Sequence, residues 1–298
     1  MTNLSKPSKD NPRTRVTIVG CGDIGSRLAE QLKSEDYQII GLRRSHQVSS
    51  LIDYRQVDCS SGSQLQQALP EHSDIIIITM TPSQRTDAGY QQAYVQVVDN
   101  LLEAIQRPPR LIVLVSSTSV YAQSQGEWID EDSTAEPSSF SGKRLLEAEQ
   151  RLGNSPYRSC IVRFSGIYGP KRQRLIEQVL RGESSPSLYS NRIHVDDCAA
   201  VLAHLIELDN PQALYLASDS SPTPLQEVKQ WLAEQLGLPD NHWLKTGDSS
   251  LRASKRIRNQ RLLDSGFTFS YPHFQQGYQT VIEQYRADKN LNSDTPKL

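Results

Sequence analysis

A doubly wound, mostly parallel α/β sheet is the architecture that this 298-residue sequence predicts. Three observations carry the prediction. Short apolar runs suited to buried strands recur between residues 14 and 164, amphipathic helical stretches alternate with them, and a glycine-rich turn joins the first strand to the first helix. Alternation at this spacing builds βαβ units, hence a parallel sheet with helices on both faces.

Residues 14–19 (TRVTIV) read as a buried strand, and 23–33 as a helix with Ile24, Leu28 and Leu32 on one face. A second strand follows at 37–42, a third at 55–58, and a short helix at 64–69. Residues 74–80 (DIIIITM) form the near-continuous apolar run that a central parallel strand requires. A long helix at 88–105 and a strand at 110–115 (RLIVLV) come next. Beyond Ser117 the pattern loosens: 121–140 reads as a polar loop, 141–152 as a helix and 157–164 as a strand. Helices at 175–181 and 225–236 lie among irregular pieces, which fits a smaller α+β lobe.

Composition removes several classes of function. With 32 basic and 34 acidic side chains the net charge is −2, so there is no general electrostatic reason to bind nucleic acid. The uninterrupted apolar stretches, Ile75–Ile78 and the longer Cys198–Ala203 among them, are far short of the ~20 residues that span a bilayer. The first fifteen residues hold no apolar core, so no secretory signal is expected. Four scattered cysteines without a CxxC pair suit a reduced, cytoplasmic protein and offer no metal site. Hydrophobic residues make up only 37% and serines number 36, yet near-neutral charge argues against global disorder.

The segment Gly20-Cys21-Gly22-Asp23-Ile24-Gly25 satisfies GxGxxG directly after a strand and at the opening of a helix. Gly20 permits the tight turn, Gly22 lets backbone amides approach a pyrophosphate, and Gly25 permits close helix packing. The helix N-terminus adds partial positive charge. A dinucleotide site is therefore expected. At the end of the second strand stand Gly41-Leu42-Arg43-Arg44-Ser45, with no acid to accept the ribose hydroxyls of NAD. Arg43 and Arg44 suit a 2′-phosphate, favouring NADP(H) over NAD(H), although two solvated loop arginines would look the same. Asp58 is placed either to meet the adenine edge or to cap a turn.

Four further segments add a resemblance. Ser116-Ser117-Thr118-Ser119-Val120-Tyr121 follows the RLIVLV strand, and Lys143 precedes Leu145-Leu146-Glu147-Ala148-Glu149. Arg163-Phe164-Ser165-Gly166-Ile167-Tyr168-Gly169-Pro170 ends the next strand, and Arg192-Ile193-His194-Val195-Asp196-Asp197 comes later. From about residue 14 to 280 the chain resembles the extended short-chain dehydrogenase/reductases, the NAD(P)-dependent epimerase/dehydratases. The resemblance implies a seven-stranded Rossmann sheet, a small C-terminal substrate lobe, and a Ser/Thr–Tyr–Lys site. It implies a dinucleotide-binding domain at 14–170 and 191–217, a substrate lobe at 171–190 and 218–280, and flexible tails at 1–13 and 288–298. Thr79 opens the loop that covers the pyrophosphate and adenine ribose in such proteins.

Carried over position by position, Ser117 steadies the substrate oxygen and Lys143, four before Glu147, holds the nicotinamide ribose. The tyrosine due four before Lys143 is Ser139. A serine hydroxyl cannot serve as a near-neutral acid/base as a phenol with its lowered pKa does. The resemblance is therefore to an atypical branch with a degenerate YxxxK motif. Tyr121 and Tyr168 are read as packing phenols, and His194 as part of a turn in which Asp196 or Asp197 caps the next helix. Arg192 suits an anionic substrate or a surface salt bridge; Lys255, Arg256 and Arg258 a cleft or a solvated face.

Two readings follow. One is an oxidoreductase or isomerase transferring hydride at a carbonyl/hydroxyl carbon of a small polar molecule. The other is a dinucleotide-binding sensor or scaffold without chemistry. The apolar stripes of helices 88–105 and 141–152 suit core packing or a homodimer.

Overall fold

The computed structural model describes residues 13–34, 36–186, 188–239 and 254–293. Its centre is a seven-stranded parallel sheet. In chain order its strands are β1 (Thr14–Val19), β2 (Tyr37–Arg43), β3 (Ile52–Gln56), β4 (Ile75–Ile78), β5 (Leu111–Ser117), β7 (Ser159–Phe164) and β11 (Leu214–Ala217); the short strands β6 (Glu127–Ile129), β8 (Gly166–Tyr168), β9 (Tyr189–Ser190), β10 (Arg192–His194), β12 (Thr223–Pro224) and β13 (Lys255–Ile257) pair outside it. Side by side they run β11-β7-β5-β4-β1-β2-β3. The strand order reverses beside β1, and that reversal is where open α/β sheets leave a crevice at the strand C-termini.

The chain divides into two compact units. One holds the residues up to Leu114 together with Gln150–Ser159, and the other holds Val115–Glu149 and the residues from Cys160 on. In the first, Val16, Ile18, Leu42 and Ile75 are wholly buried, and each such side chain contributes roughly 1.5–3 kcal/mol. Helices α1 (Asp23–Gln31) and α2 (Gly62–Ala68) pack there. Strand β3 starts three residues earlier than the sequence pattern suggests, because Ile52 is buried and pairs in register with Ile39. The helix expected at 88–105 is not uniform. It comprises α3 (Asp87–Tyr90), a π-helical turn Gln91–Gln96, and α4 (Val97–Ala104).

The second unit contains α5 (Phe140–Gly153) as far as Glu149, and α6 (Arg174–Leu180), α7 (Val195–Glu207), α8 (Leu225–Gln235), α9 (Gln260–Asp264) and α10 (Phe274–Ser293). Tyr168, Ile176, Val179, Val228, Leu232 and Tyr278 form its satellite core. Helix α10 runs into the segment expected to fray, because Asp288 accepts hydrogen bonds from Gln284 (2.6 Å) and Gln173 (3.1 Å). Of the tails expected at 1–13 and 288–298, residues 1–12 and 294–298 lie outside the described residues. The polar loop at 121–140 contains a strand, β6 (Glu127–Ile129), paired in parallel with β13 (Lys255–Ile257). That pairing overturns the solvated-face reading for Lys255 and Arg256, while Arg258 is exposed. Lys255 is buried and donates to the Tyr121 carbonyl at 2.6 Å, and Arg256 lies 4.9 Å from the Trp128 and Tyr189 ring centres.

Strand β11 ends the sheet. Its outward Leu216 N–H donates to the Glu131 carboxylate (2.9 Å), and Arg261 donates to its Leu214 carbonyl (3.3 Å). Two side chains thus occupy backbone groups that an edge strand otherwise leaves free. Among the described residues no helix is long and apolar enough to cross a membrane.

Candidate functional site

The first unit brings the expected nucleotide-binding residues together at the ends of β1, β2, β3 and β4. Gly20 has φ +79°, and a Cβ there would sit 2.5 Å from Met80 Sδ, so no larger residue fits. Gly22 differs: a Cβ there would meet only the Gly20 carbonyl, at 3.8 Å, leaving the backbone open to an approaching group. Gly25 lies against Cys21 Sγ and Ile18, where a Cβ would stand at 2.9 and 3.0 Å, so it serves helix–strand packing. No side chain caps the N-terminus of α1, and its positive end is left for a ligand anion. Asp23 in the first turn pairs with Arg27 at 3.0 Å. Cys21 is buried beneath the loop, where burial pushes its thiol up to about 11, so it fills space as a neutral thiol. Ile24 is half-buried one residue further along.

Arg43 ends β2 with its guanidinium 5.6 Å from the Tyr54 ring centre and its Nη2 donating to Ser45 Oγ at 2.8 Å. Arg44 is exposed beside it. Asp58 accepts from the Ser60 amide (3.0 Å) and hydroxyl (2.7 Å), so its Oδ1 caps a turn. The Ser60 bond, aided by the field of Arg44, holds the Asp58 carboxyl below the ordinary carboxylate range. Thr79 Oγ1 donates to the Gly20 carbonyl at 2.9 Å, which ties the loop after β4 to the glycine turn. An open glycine backbone, an uncapped helix N-terminus and two arginines form a donor set that fits a dinucleotide.

The second unit holds the other expected residues, and it does not join them into a triad. Ser117 Oγ accepts the Ser119 N–H at 3.2 Å, which leaves the hydroxyl proton free to donate. Ser139 Oγ accepts the Gly142 N–H at 3.1 Å, so Ser139 is the N-cap of α5. Lys143 is exposed. Gly142 packs so tightly that a Cβ would stand 2.6 Å from the Ser119 carbonyl, which sets the helix face turned toward that turn.

The helix acid that enters the core is Glu149, while Glu147 is half-buried and pairs with Arg144 at 2.8 Å. Glu149 accepts from Ser116 Oγ and from Arg163 through Nε (3.1 Å) and Nη2 (2.5 Å). Arg163 Nη1 donates to the Tyr121 hydroxyl at 2.6 Å, which donates in turn to the Asp130 carbonyl at 3.2 Å. Counted back by fours from Glu149, α5 presents Leu145, which is buried, and Ser141. Sequence reasoning missed this network. Its signals were an arginine inside the apolar run SCIVRF and a glutamate sharing the stripe of Leu145 and Leu152.

His194 is wholly buried, and its Nδ1 accepts the Asp196 N–H at 3.3 Å. His194 is therefore the cap of α7, in place of the expected Asp196 or Asp197. Asp197 instead accepts from the Ser270 and Tyr271 amides, at 2.9 and 3.0 Å. Arg192 is 4% exposed, which excludes a surface salt bridge. Tyr168 stacks on Tyr278 at 4.5 Å, and burial pushes its phenol well above the ordinary value. Among the described residues its hydroxyl has no hydrogen-bond partner, nor has the second carboxylate oxygen of Asp219.

A glycine turn of this shape, on a sheet of this order, defines a Rossmann-type dinucleotide-binding protein. The NAD dependent epimerase/dehydratase family matches residues 16–216, and the chain belongs to that family. A protein from Methylobacillus flagellatus described as an NAD-dependent epimerase/dehydratase is 35% identical, with TM-score 0.79 over 92% of this chain and 100% of that one. MoeE5, solved with UDP-glucose and NAD, is 24% identical with TM-score 0.75 (92% and 99% covered). A dTDP-glucose 4,6-dehydratase from Bacillus anthracis, solved with NAD, is 17% identical with TM-score 0.77 (94% and 98%). No curated protein matches the chain.

Proposed function

We propose that this family member is an NADP(H)-dependent oxidoreductase or isomerase acting on a hydroxyl or carbonyl carbon of a small polar molecule. The observation that carries the cofactor choice is the end of β2, where Arg43 and Arg44 stand and no acid does. Two guanidiniums favour a 2′-phosphate, and a carboxylate there would repel one. The backbone from Gly20 to Gly25 would hold the pyrophosphate, Asp58 the adenine side, and Thr79 the covering loop. A bound nicotinamide supplies the hydride acceptor or donor.

Ser117 would donate its hydroxyl proton to the substrate oxygen. Lys143 would hold the ribose from an exposed position in the first turn of α5. Ser139 spends its lone pair on the helix cap, so the reacting proton passes through a water or a group brought by the substrate.

Titration with NADPH and NADH tests the cofactor assignment. NADPH should bind at least tenfold tighter, and Arg43→Ala should remove most of that margin. An NADH preference that survives Arg43→Ala overturns it. For chemistry, measurable carbonyl reduction abolished by Lys143→Ala supports the enzyme reading. A silent parent that gains turnover as Ser139→Tyr marks a disarmed site instead.

A further inference from the structure

The helical stretch after β4 contains an irregularity that the cofactor assignment leaves unused. Between α3 and α4 the backbone widens into the π-helical turn Gln91–Gln96. Such turns sacrifice regular hydrogen bonding and cluster at functional sites, because one extra residue re-aims the side chains around it. Two side chains leave this turn toward separate loops. Tyr94 donates its phenol proton to the Met80 carbonyl at 3.2 Å. Gln92 donates to Ser60 Oγ at 3.0 Å, and Ser60 is the residue that holds Asp58. At the end of the same turn, Gln96 donates to Asn100, whose own amide donates to the Cys59 carbonyl at 3.3 Å.

One helix thereby ties down both the loop after β3 and the loop after β4. Met80 is also the residue whose sulfur stands where a Gly20 side chain would be. Tyr94 is largely buried, and burial pushes its phenol up to about 12, so it stays a protonated donor at neutral pH.

We propose that the Gln91–Gln96 turn is a positioning device for the dinucleotide. Tyr94 fixes the Met80 loop against Gly20 on the pyrophosphate side, and Gln92 fixes the Ser60 turn on the adenine side. The proposal rests on the dinucleotide reading. Tyr94 contacts protein and acts through Met80, so it is a positioning residue. Without its bond the loop over Gly20 is free to rearrange, and binding must then supply the cost of ordering it.

Two ligands separate this role from a general structural one: NADP+ and adenosine 2′,5′-bisphosphate, which keeps the adenine end and lacks the bridging pyrophosphate. Tyr94→Phe should raise the Kd for NADP+ about five- to tenfold, the worth of one net hydrogen bond, and change that for the bisphosphate less than about twofold. Gln92→Ala, at an exposed position, should weaken both ligands alike, by a few-fold. Unchanged binding in either variant, or equal weakening of both ligands by Tyr94→Phe, overturns the proposal. A parent that binds neither of these ligands nor NAD+ overturns the dinucleotide reading and this proposal with it. A parent that binds both, with Tyr94→Phe indistinguishable from it, removes this proposal alone.

Discussion

Asp219 is 1% exposed, and among the described residues only one of its carboxylate oxygens has a hydrogen-bond partner, the Ser221 amide at 3.2 Å. Burial raises its pKa from an ordinary 3.8 to about 7, against the opposing pull of the Ser221 bond and Arg192. The folded chain therefore holds a proton that the unfolded chain has lost between pH ~4 and ~7. Stability from this group is full below pH ~4 and falls as pH rises to 7. Asp197, raised in the same direction by burial, adds to the slope. Asp219→Asn should flatten the pH dependence of urea midpoints over that window and leave the variant more stable at pH 8, by about 1–3 kcal/mol. An unchanged slope rejects the assignment. Glu149 pairs with Arg163 at 2.5 Å, with both side chains buried. Glu149→Ala strands a guanidinium and should cost roughly 3–5 kcal/mol in chemical denaturation; a loss below 1 kcal/mol would show the pair to be idle. Glycines with local roles were legible in the sequence, as Gly20 and Gly22 show. Partners such as Glu149 and Arg163 were not, because fourteen positions separate them and only the fold closes that gap.

At the scale of elements, α5 decides how much of the family's site survives here. Its cap is Ser139, so Ser139→Ala should lower stability by ~1 kcal/mol whether or not the protein is an enzyme, and thermal melts can check this. The helix has two glutamates from which to count. Counted from Glu147 the ladder contains Lys143; counted from the buried Glu149 it contains Leu145 and Ser141. Dinucleotide affinity separates the two: a tenfold or greater loss in Lys143→Ala favours the first, and no loss favours the second. Strands were readable in advance because parallel strands buried on both faces are continuously apolar, as Ile75–Ile78 shows. The π-helical turn was not, since its QQAYVQ run satisfies the apolar period of an ordinary helix closely enough. Strand β6 was equally hidden, because its partner β13 follows more than 120 positions later.

For the whole molecule, ligand linkage gives the broadest check. A dinucleotide at 100 times its Kd should stabilise the folded chain by about 2.7 kcal/mol, with NADP+ exceeding NAD+ in the shift of Tm. Melts indifferent to all four oxidised and reduced dinucleotides would exclude the glycine turn as a binding site. The doubly wound sheet was legible as a class because strand and helix periods alternate along the chain. Its division into units was less so, because compactness depends on contacts that cross many residues. At the end of the sheet, the groups that close β11 bear on survival in a crowded solution. A carboxylate on Leu216 N–H and a guanidinium on the Leu214 carbonyl leave no ready template there for a foreign strand. At the β11 edge two backbone groups of the outer strand are already taken. A chain stripped of Glu131 and Arg261 would offer those groups to its neighbours, and turbidity on gentle heating would rise long before the glycine turn lost its shape.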